Sequence, residues 1–392
     1  MLRRKDYTPF FLIFILSAFI FLLPETASSI QFPDCLQCHI HKNKAAKKYV
    51  HPAFKQGCYS CHTEAHQTGT KLRKFLFAQG VDLCWGCHDK AMFTKKVKHP
   101  PVAKGMCLSC HDVHTSDNRK LLLDPMPTLC FRCHDKTKFV NKTNHPPVAA
   151  GKCTACHDVH SSESKKLLRA NVPDLCFTCH EKTRYIQEFI QKRHAPVAKG
   201  MCMSCHEPHA SGAEKLLRAP VPDICFTCHD EMDFKGKYTH GPVAAGMCMS
   251  CHEPHQSNTP KLTIARAPDL CFNCHDKAGF TRKNQHPPVA SGLCAVCHDL
   301  HASPYPAQLR LPITDGCLQC HQKIAESPHA AGAFADAGHP LKDRKAPWLK
   351  YGELSCASCH DPHSSDSIKL FRFPAKKGFD ICINCHNNKK NR

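Results

Sequence analysis

Hydrophobic positions along the chain fall into one long run and many short scraps. The run extends from Phe10 to Leu23 and is broken only by Ser17. Arg3, Arg4 and Lys5 precede it, and Pro24-Glu25-Thr26-Ala27-Ser28-Ser29 closes it with small residues. This is the layout of a secretory signal peptide, residues 1–29, cut after Ser29. The run is shorter than the ~20 apolar residues a spanning helix needs. No later stretch is apolar enough to span, so the mature chain is expected to be soluble and exported, whether periplasmic, outer-membrane-associated or extracellular.

Beyond Ser29 the pattern leaves little room for regular structure. The chain has 29 prolines, and a cysteine motif recurs about every 23 residues. Under those interruptions no helix can run long and no sheet has room to form. The expected fold is mostly irregular with short α-helices and little or no β-sheet, an elongated array of repeated units. Asp174, Asp223 and Asp269 sit two residues before a motif cysteine, placed to cap the turn that carries it.

The cysteines change the picture. All 30 fall into Cys-x-x-Cys-His units, with none left over. The first five units are Cys35, Cys38 and His39; Cys58, Cys61 and His62; Cys84, Cys87 and His88; Cys107, Cys110 and His111; and Cys130, Cys133 and His134. The next five are Cys153, Cys156 and His157; Cys176, Cys179 and His180; Cys202, Cys205 and His206; Cys225, Cys228 and His229; and Cys248, Cys251 and His252. The last five are Cys271, Cys274 and His275; Cys294, Cys297 and His298; Cys317, Cys320 and His321; Cys356, Cys359 and His360; and Cys382, Cys385 and His386.

Two thiols three residues apart lie on one side of a helical turn. Both can form thioethers to one porphyrin, and the next residue offers an imidazole to the iron. The pentapeptide is the attachment signal for c-type haem. A zinc ribbon gives no reason for a histidine after every second cysteine, and a redox dithiol would need only one pair.

The remaining sixteen of the 31 histidines keep step with these motifs. His114, His160, His209, His255, His301 and His363 lie three residues after a motif histidine, and His66 one residue further on. His51, His99, His145, His194, His240, His286 and His339 precede a motif, most within a His-Pro-Pro-Val-Ala-like segment. His41 and His329 complete the set. Repetition in step with the motifs marks them as sixth ligands, sixteen for fifteen irons. A histidine three residues after a proximal ligand shares its helical turn and cannot reach the opposite face of the same iron, so it is expected to serve another haem.

Two motif types alternate. One reads Gly-x-Cys-x-x-Cys-His-Asp/Glu-x-His, as at Cys107, Cys153, Cys202, Cys248 and Cys294. The other reads Pro-Asp-Leu/Ile-Cys-Phe-x-Cys-His, as at Cys176, Cys225 and Cys271. Adjacent motifs are mostly 23 residues apart, so two make a 46-residue unit, the signature of a quasi-one-dimensional array. The expected organisation is a repeat array over 30–324 with thirteen haems, an insertion at 325–354, and a two-haem segment at 355–392.

Paired motifs of this kind resemble the doubled-motif family of multihaem c-type cytochromes used in periplasmic and extracellular electron transfer. The resemblance is clearest from Cys84 to His321. It departs in the first unit, where His41 is two residues after His39, and in the insertion before Cys356. It implies a fifteen-haem cytochrome conducting electrons along closely spaced bis-histidine haems, for extracellular or trans-outer-membrane transfer, with no catalytic residues. The alternative is a multihaem reductase acting on nitrite, hydroxylamine or a sulfur oxyanion, which must leave one iron open. A surplus of histidines favours the carrier. Some such enzymes carry Cys-x-x-Cys-Lys, and no motif here does.

The net charge of +20 fits this reading. Each haem brings two propionates, so fifteen ferric haems would leave the mature chain at roughly +4 and full reduction at roughly −11. Lys and Arg are expected to line propionates, and no nucleic-acid partner is expected. Partners would be other redox proteins or extracellular acceptors, with self-assembly into a filament or an outer-membrane porin as routes. Trp85, Phe131, Phe177, Phe226 and Phe272 are expected to pack on porphyrin rather than relay electrons, and Met106, Met201 and Met247 not to ligate. Haems, not side chains, should supply the core.

Overall fold

The computed structural model describes residues 47–63, 76–180, 192–326, 354–376 and 380–381. The signal segment and most of the insertion lie outside the described residues. So do the motif cysteines Cys35, Cys38, Cys382 and Cys385 with their histidines His39 and His386, and the candidate ligands His41, His66, His329 and His339. The chain divides into two compact units. One comprises the residues up to Gln79 together with His111–Leu123, the other Gly80–Cys110 together with Asp124 onward.

The repeat can be followed from Thr143 in the second unit. Thr143–Asn144 is a two-residue strand. His145 follows with φ −65° and ψ 126°. It precedes Pro146, and a residue before proline is held in extended backbone. Pro146–Ala149 is then a single α-turn, opened by a proline that has no N–H to lose there. Gly151, at φ +66°, turns the chain out of it. Cys153–Ala155 is a 3-10 turn and Ser161–Ser162 a second strand. Lys165–Leu167 is another 3-10 turn, and Asp174–Phe177 is the α-turn bearing the next motif cysteine.

The strands pair between repeats, antiparallel and two residues long. Tyr49–Val50 pairs with Thr115–Ser116 in the first unit. In the second, Val97–Lys98 pairs with Ser161–Ser162, Thr143–Asn144 with Ala210–Ser211, and Lys192–Arg193 with Gln256–Ser257. Tyr238–Thr239 pairs with Ala302–Ser303, and Asn284–Gln285 with Ser364–Ser365. Little sheet forms, as expected, and what forms joins one repeat to the next. Ladders this short are not stable alone. Hydroxyls reinforce them: Ser162, Ser211 and Ser303 donate to the carbonyls of Leu168, Leu217 and Leu309.

Buried side chains lie mainly at these ladders and are mostly polar. Thr115, Ser161 and Ser364 are fully enclosed, whereas the buried hydrophobic residues among those described are Ala210, Ile224 and Phe371. Met106, Leu108, Met201, Met247, Leu293 and Val296, which flank motif cysteines, are exposed. The polypeptide thus makes polar clasps and leaves its apolar side chains beside the motifs for something else to cover. No described helix is long and apolar enough to cross a membrane.

One expectation fails. Asp174, Asp223 and Asp269 do not cap their turns: each is the first helical residue, and a proline, Pro173, Pro222 or Pro268, holds the cap position without a side-chain bond. The capping carboxylates are Asp89, Asp135, Asp230 and Asp276, which accept from the backbone N–H two residues on and start the 3-10 turn after the motif.

Candidate haem-ligand array

Motifs of the Gly-x-Cys class end in a histidine whose ring is held by a turn nine residues on. Nδ1 lies 3.0 Å from the Lys120 carbonyl in His111, 3.0 Å from Lys166 O in His157, 3.1 Å from Lys215 O in His206 and 2.9 Å from Lys261 O in His252. In His298, and in His360, whose motif follows Leu354-Ser355 instead of Gly-x, the partners are Ala307 O and Lys369 O, both at 2.8 Å. A carbonyl only accepts, so Nδ1 carries the proton and Nε2 is left as the free base. The carbonyl owner is left-handed in every case, from φ +52° to +60°, and the next residue is left-handed too. Such backbone costs roughly 1–2 kcal/mol per residue without glycine. The return is aim: Lys166 O meets His157 Nδ1, and Leu167 O accepts from the Asp158 N–H.

The histidine rings face one another in twos. His62 faces His114 at 6.4 Å between ring centres, with planes 13° apart. His99 faces His134, His145 faces His180, His240 faces His275 and His286 faces His321, all at 6.1 Å. At 6.0 Å are His157 with His209, His194 with His229, His206 with His255, His252 with His301 and His298 with His363. Interplanar angles across the ten run from 12° to 34°. Rings in direct contact would close to about 3.5–4.0 Å. An iron gripped on both faces at about 2 Å, with about 1.1 Å more from each nitrogen to its ring centre, sets the centres roughly 6.2 Å apart. The pairs fit that gap. No group of three or more potential metal ligands occurs among the described residues.

The pairing follows the strand ladders. His145 N donates to His209 O at 3.0 Å, and the same bond joins His51 to His114, His99 to His160, His194 to His255, His240 to His301 and His286 to His363. The ring of His114 faces His62. The expected shared helical turn is absent: the 3-10 turn ends at Ser109, His111 bridges to Leu122 and His114 lies in a bend. Burial, and then the facing ring, push His99, His209, His301 and His363 below the ordinary histidine value, toward the neutral form a metal ligand needs.

A single tetrapeptide serves three ring pairs. His206 belongs to the pair with His255, and His209 to the pair with His157. Between them, Pro208 O sits 3.0 Å from Nδ1 of His145, which faces His180. Leu300 O and Pro362 O do the same for His240 and His286, at 3.2 and 3.0 Å.

The two cysteines of a motif differ in exposure in eight of the thirteen described motifs. The first, such as Cys58, Cys84 and Cys356, are half-buried. The second are open to solvent at Cys87, Cys133, Cys179, Cys228, Cys274, Cys297, Cys320 and Cys359, and half-buried at Cys61, Cys110, Cys156, Cys205 and Cys251. Within each described motif one turn holds the two together: Cys61 N donates to Cys58 O and Cys87 N to Cys84 O, both at 3.2 Å.

Consecutive motifs also meet at their thiols. Burial, with the neighbouring Cys153 thiol next, raises Cys130 to about 11, and Cys176 beside Cys202 and Cys271 beside Cys294 rise likewise. A hydrogen bond between Cys317 and Cys356 raises the first and lowers the second to about 6. Within a repeat it is the second cysteines that approach: burial, then the facing Cys179, raises Cys156, and Cys205, Cys251 and Cys297 respond in the same way to Cys228, Cys274 and Cys320. Backbone packing enforces the junction between repeats. A Cβ on Gly151 would lie 2.6 Å from Pro127 Cδ, so the residue before one motif sits against the proline before the preceding one.

The aromatic residues pack on one another and on histidines. Trp85, Phe131, Phe226 and Phe272 each pack against Phe93, Phe139, Phe234 and Phe280, at 4.9–5.7 Å. Those four in turn lie tilted on His160, His209, His301 and His363, at 4.7–5.0 Å. Arginine also has a role that composition did not reveal. Arg169, Arg218, Arg310 and Arg372 donate to the carbonyls of Thr154, Met203, Ala295 and Ala357, clasping the turn between two motif cysteines.

A family model described as the doubled CXXCH motif matches residues 51–93, 99–139, 145–185, 194–234, 240–280, 286–326 and 349–391. Each match holds two consecutive motifs, and the unit at Cys35 and Cys38 stands outside all seven. No curated protein matches the chain significantly.

Proposed function

The chain belongs to the doubled CXXCH motif family and is a multihaem c-type cytochrome; from that premise we infer that it binds fifteen covalent haems, each between two histidines, and conducts electrons along them. One observation carries the reading: ten histidine pairs, drawn from different parts of the chain, repeat one iron-sized gap of 6.0–6.4 Å. His51, His88, His111, His160 and His360 occupy the same repeat positions and belong to the ligand set, as do His39, His66, His339 and His386 by their place in the sequence. One of His41 and His329 completes the count. The terminal haems would be attached through Cys35 with Cys38 and through Cys382 with Cys385.

When bound, a c-type haem supplies a one-electron ferric/ferrous couple. The residues determine how that couple is used. Histidines on both faces leave no coordination site for a substrate, which favours a carrier over a reductase. The left-handed turns fix ring orientation, so the ligand shell stays the same in both oxidation states. Thiol contacts from Cys110–Cys133 to Cys317–Cys356 make successive attachment points neighbours, so transfer follows the order of the sequence. In this reading the signal segment exports the chain, and its partners are redox proteins or extracellular acceptors, reached through a filament of its own copies or an outer-membrane porin. Intact-mass measurement and visible spectroscopy of the mature protein test it. Fifteen haems, all low-spin, are expected. A load of twelve or fewer, or a high-spin haem that rapidly binds nitrite or cyanide, would overturn it.

A further inference from the structure

The two classes of distal histidine differ in what stands behind the ring. Those before a motif, His145, His240 and His286, direct Nδ1 at a neutral carbonyl. Those after a motif have a carboxylate two residues back. Asp112 Oδ1 accepts from His114 N at 2.9 Å and lies 3.8 Å from its Nδ1. Glu207 Oε1 lies 3.9 Å from Nδ1 of His209, and Glu253 Oε1 reaches 3.1 Å from Nδ1 of His255 while accepting from its backbone N at 3.3 Å. Asp158, Asp299 and Asp361 accept from the backbone of His160, His301 and His363 at 3.1–3.2 Å.

We propose that these six acids, Asp112, Asp158, Glu207, Glu253, Asp299 and Asp361, are redox-positioning residues that make every second haem in the file harder to reduce. The inference rests on the reading that post-motif histidines are axial ligands. Five of the six act through their charge. At Glu253 the carboxylate is within hydrogen-bond reach of Nδ1–H, where it draws the proton toward itself, enriches the ring and strengthens its bond to ferric iron. A carbonyl does the same more weakly. The negative charge also favours the oxidised state directly, and Phe rings lie against His160, His209, His301 and His363. Among the described pairs, post-motif histidines face the motifs at Cys58, Cys153, Cys202, Cys248 and Cys294, and pre-motif histidines face those at Cys130, Cys176, Cys225, Cys271 and Cys317, so the two kinds of site alternate. Reduction potentials therefore alternate low and high along the chain. The bias is graded as well. Asp158 lies 3.4 Å from Lys95 Nζ and Asp361 lies 3.5 Å from Arg282, and these cations offset part of it.

A matched control exists within the protein. Asp89, Asp135, Asp230 and Asp276 follow the proximal histidine of the other motif class and bond only backbone or local hydroxyl groups. The test is spectroelectrochemical titration of the haem-loaded protein, each iron taking one electron from ferric to ferrous, with the six acids changed to Asn or Gln. The low-potential limb should move up and the high-potential limb stay, with all haems low-spin. Changing the four control residues to Asn should leave the low-potential limb in place. Glu253→Gln alone keeps the side-chain shape, so it carries the test if the sixfold variant loses haem, and its shift should exceed that of Asp158→Asn. An unchanged curve, or equal movement of both limbs in both variants, overturns the proposal. His209→Ala separates this from failure of the underlying reading: a new high-spin haem shows the ligand assignment stands whatever the potentials do.

Discussion

On the proposed reading, the two halves of each repeat solve the same coordination problem over different ranges. In the Pro-Asp-Leu half both facing histidines lie inside one repeat, as with His145 and His180 within 145–185. In the Gly-x-Cys half they come from two, as with His157 in 145–185 and His209 in 194–234. One site closes a repeat on itself and the other fastens it to the next. Alternation of closing and fastening sites would let a chain whose described residues bury few apolar side chains hold a long series of cofactors, each repeat depending on its nearest neighbours.

Removing a ligand from each half should give the largest contrast. His145→Ala and His209→Ala should each produce one high-spin haem. Only His209→Ala should also expose the junction between repeats to limited proteolysis, because it unties two repeats. Equal cleavage in both variants would remove the distinction.

The junction can also be attacked sterically. Gly151 is at φ +66° with Pro127 Cδ 2.6 Å from a would-be Cβ, whereas Gly241 has nothing within 4 Å. Gly151→Val should therefore cost about 1–3 kcal/mol, seen as a lower thermal midpoint at equal haem load, while Gly241→Ala should be near neutral or stabilising.

A smaller effect distinguishes the ladders. Ser161 Oγ donates to Met92 O at 2.9 Å and accepts from Lys95 N at 3.3 Å, whereas the enclosed Thr115 Oγ1 has no hydrogen-bond partner among the described residues. Ser161→Ala should cost about 1–3 kcal/mol in chemical denaturation, and Thr115→Val close to nothing.

The smallest effect concerns the arginine clasp. Arg218→Met removes the 2.9 Å bond to Met203 O and should cost about 0.5–1.5 kcal/mol in the same assay. The next repeat has Ile264 at the matching position, so its turn is held without that bond, and Ile264→Arg should stabilise it by a similar amount.

The motif positions, the alternation of types and the separation of post-motif from pre-motif histidines were legible because each is a local pattern. Which histidine faces which was not. Whether His209 meets His157 or another ring depends on Thr143–Asn144 pairing with Ala210–Ser211, a choice between distant segments that periodicity does not encode. The left-handed turns were hidden for another reason. Lys-Leu carries none of the glycine or asparagine that marks such backbone, and it adopts this shape because its carbonyls find His157 Nδ1 and the Asp158 N–H. The capping residues were misplaced because a proline already held the position in front of Asp174, leaving the cap to Asp135 and its equivalents after the histidine.

The central claim is the ligand register, and a structure of the haem-loaded protein that shows the axial bonds tests it most directly. The iron attached through Cys153 and Cys156 should lie between His157 and His209, and the iron attached through Cys176 and Cys179 between His180 and His145. If His145 instead ligates the first iron, or if His209 binds the iron of His206 in its own motif, the register is wrong.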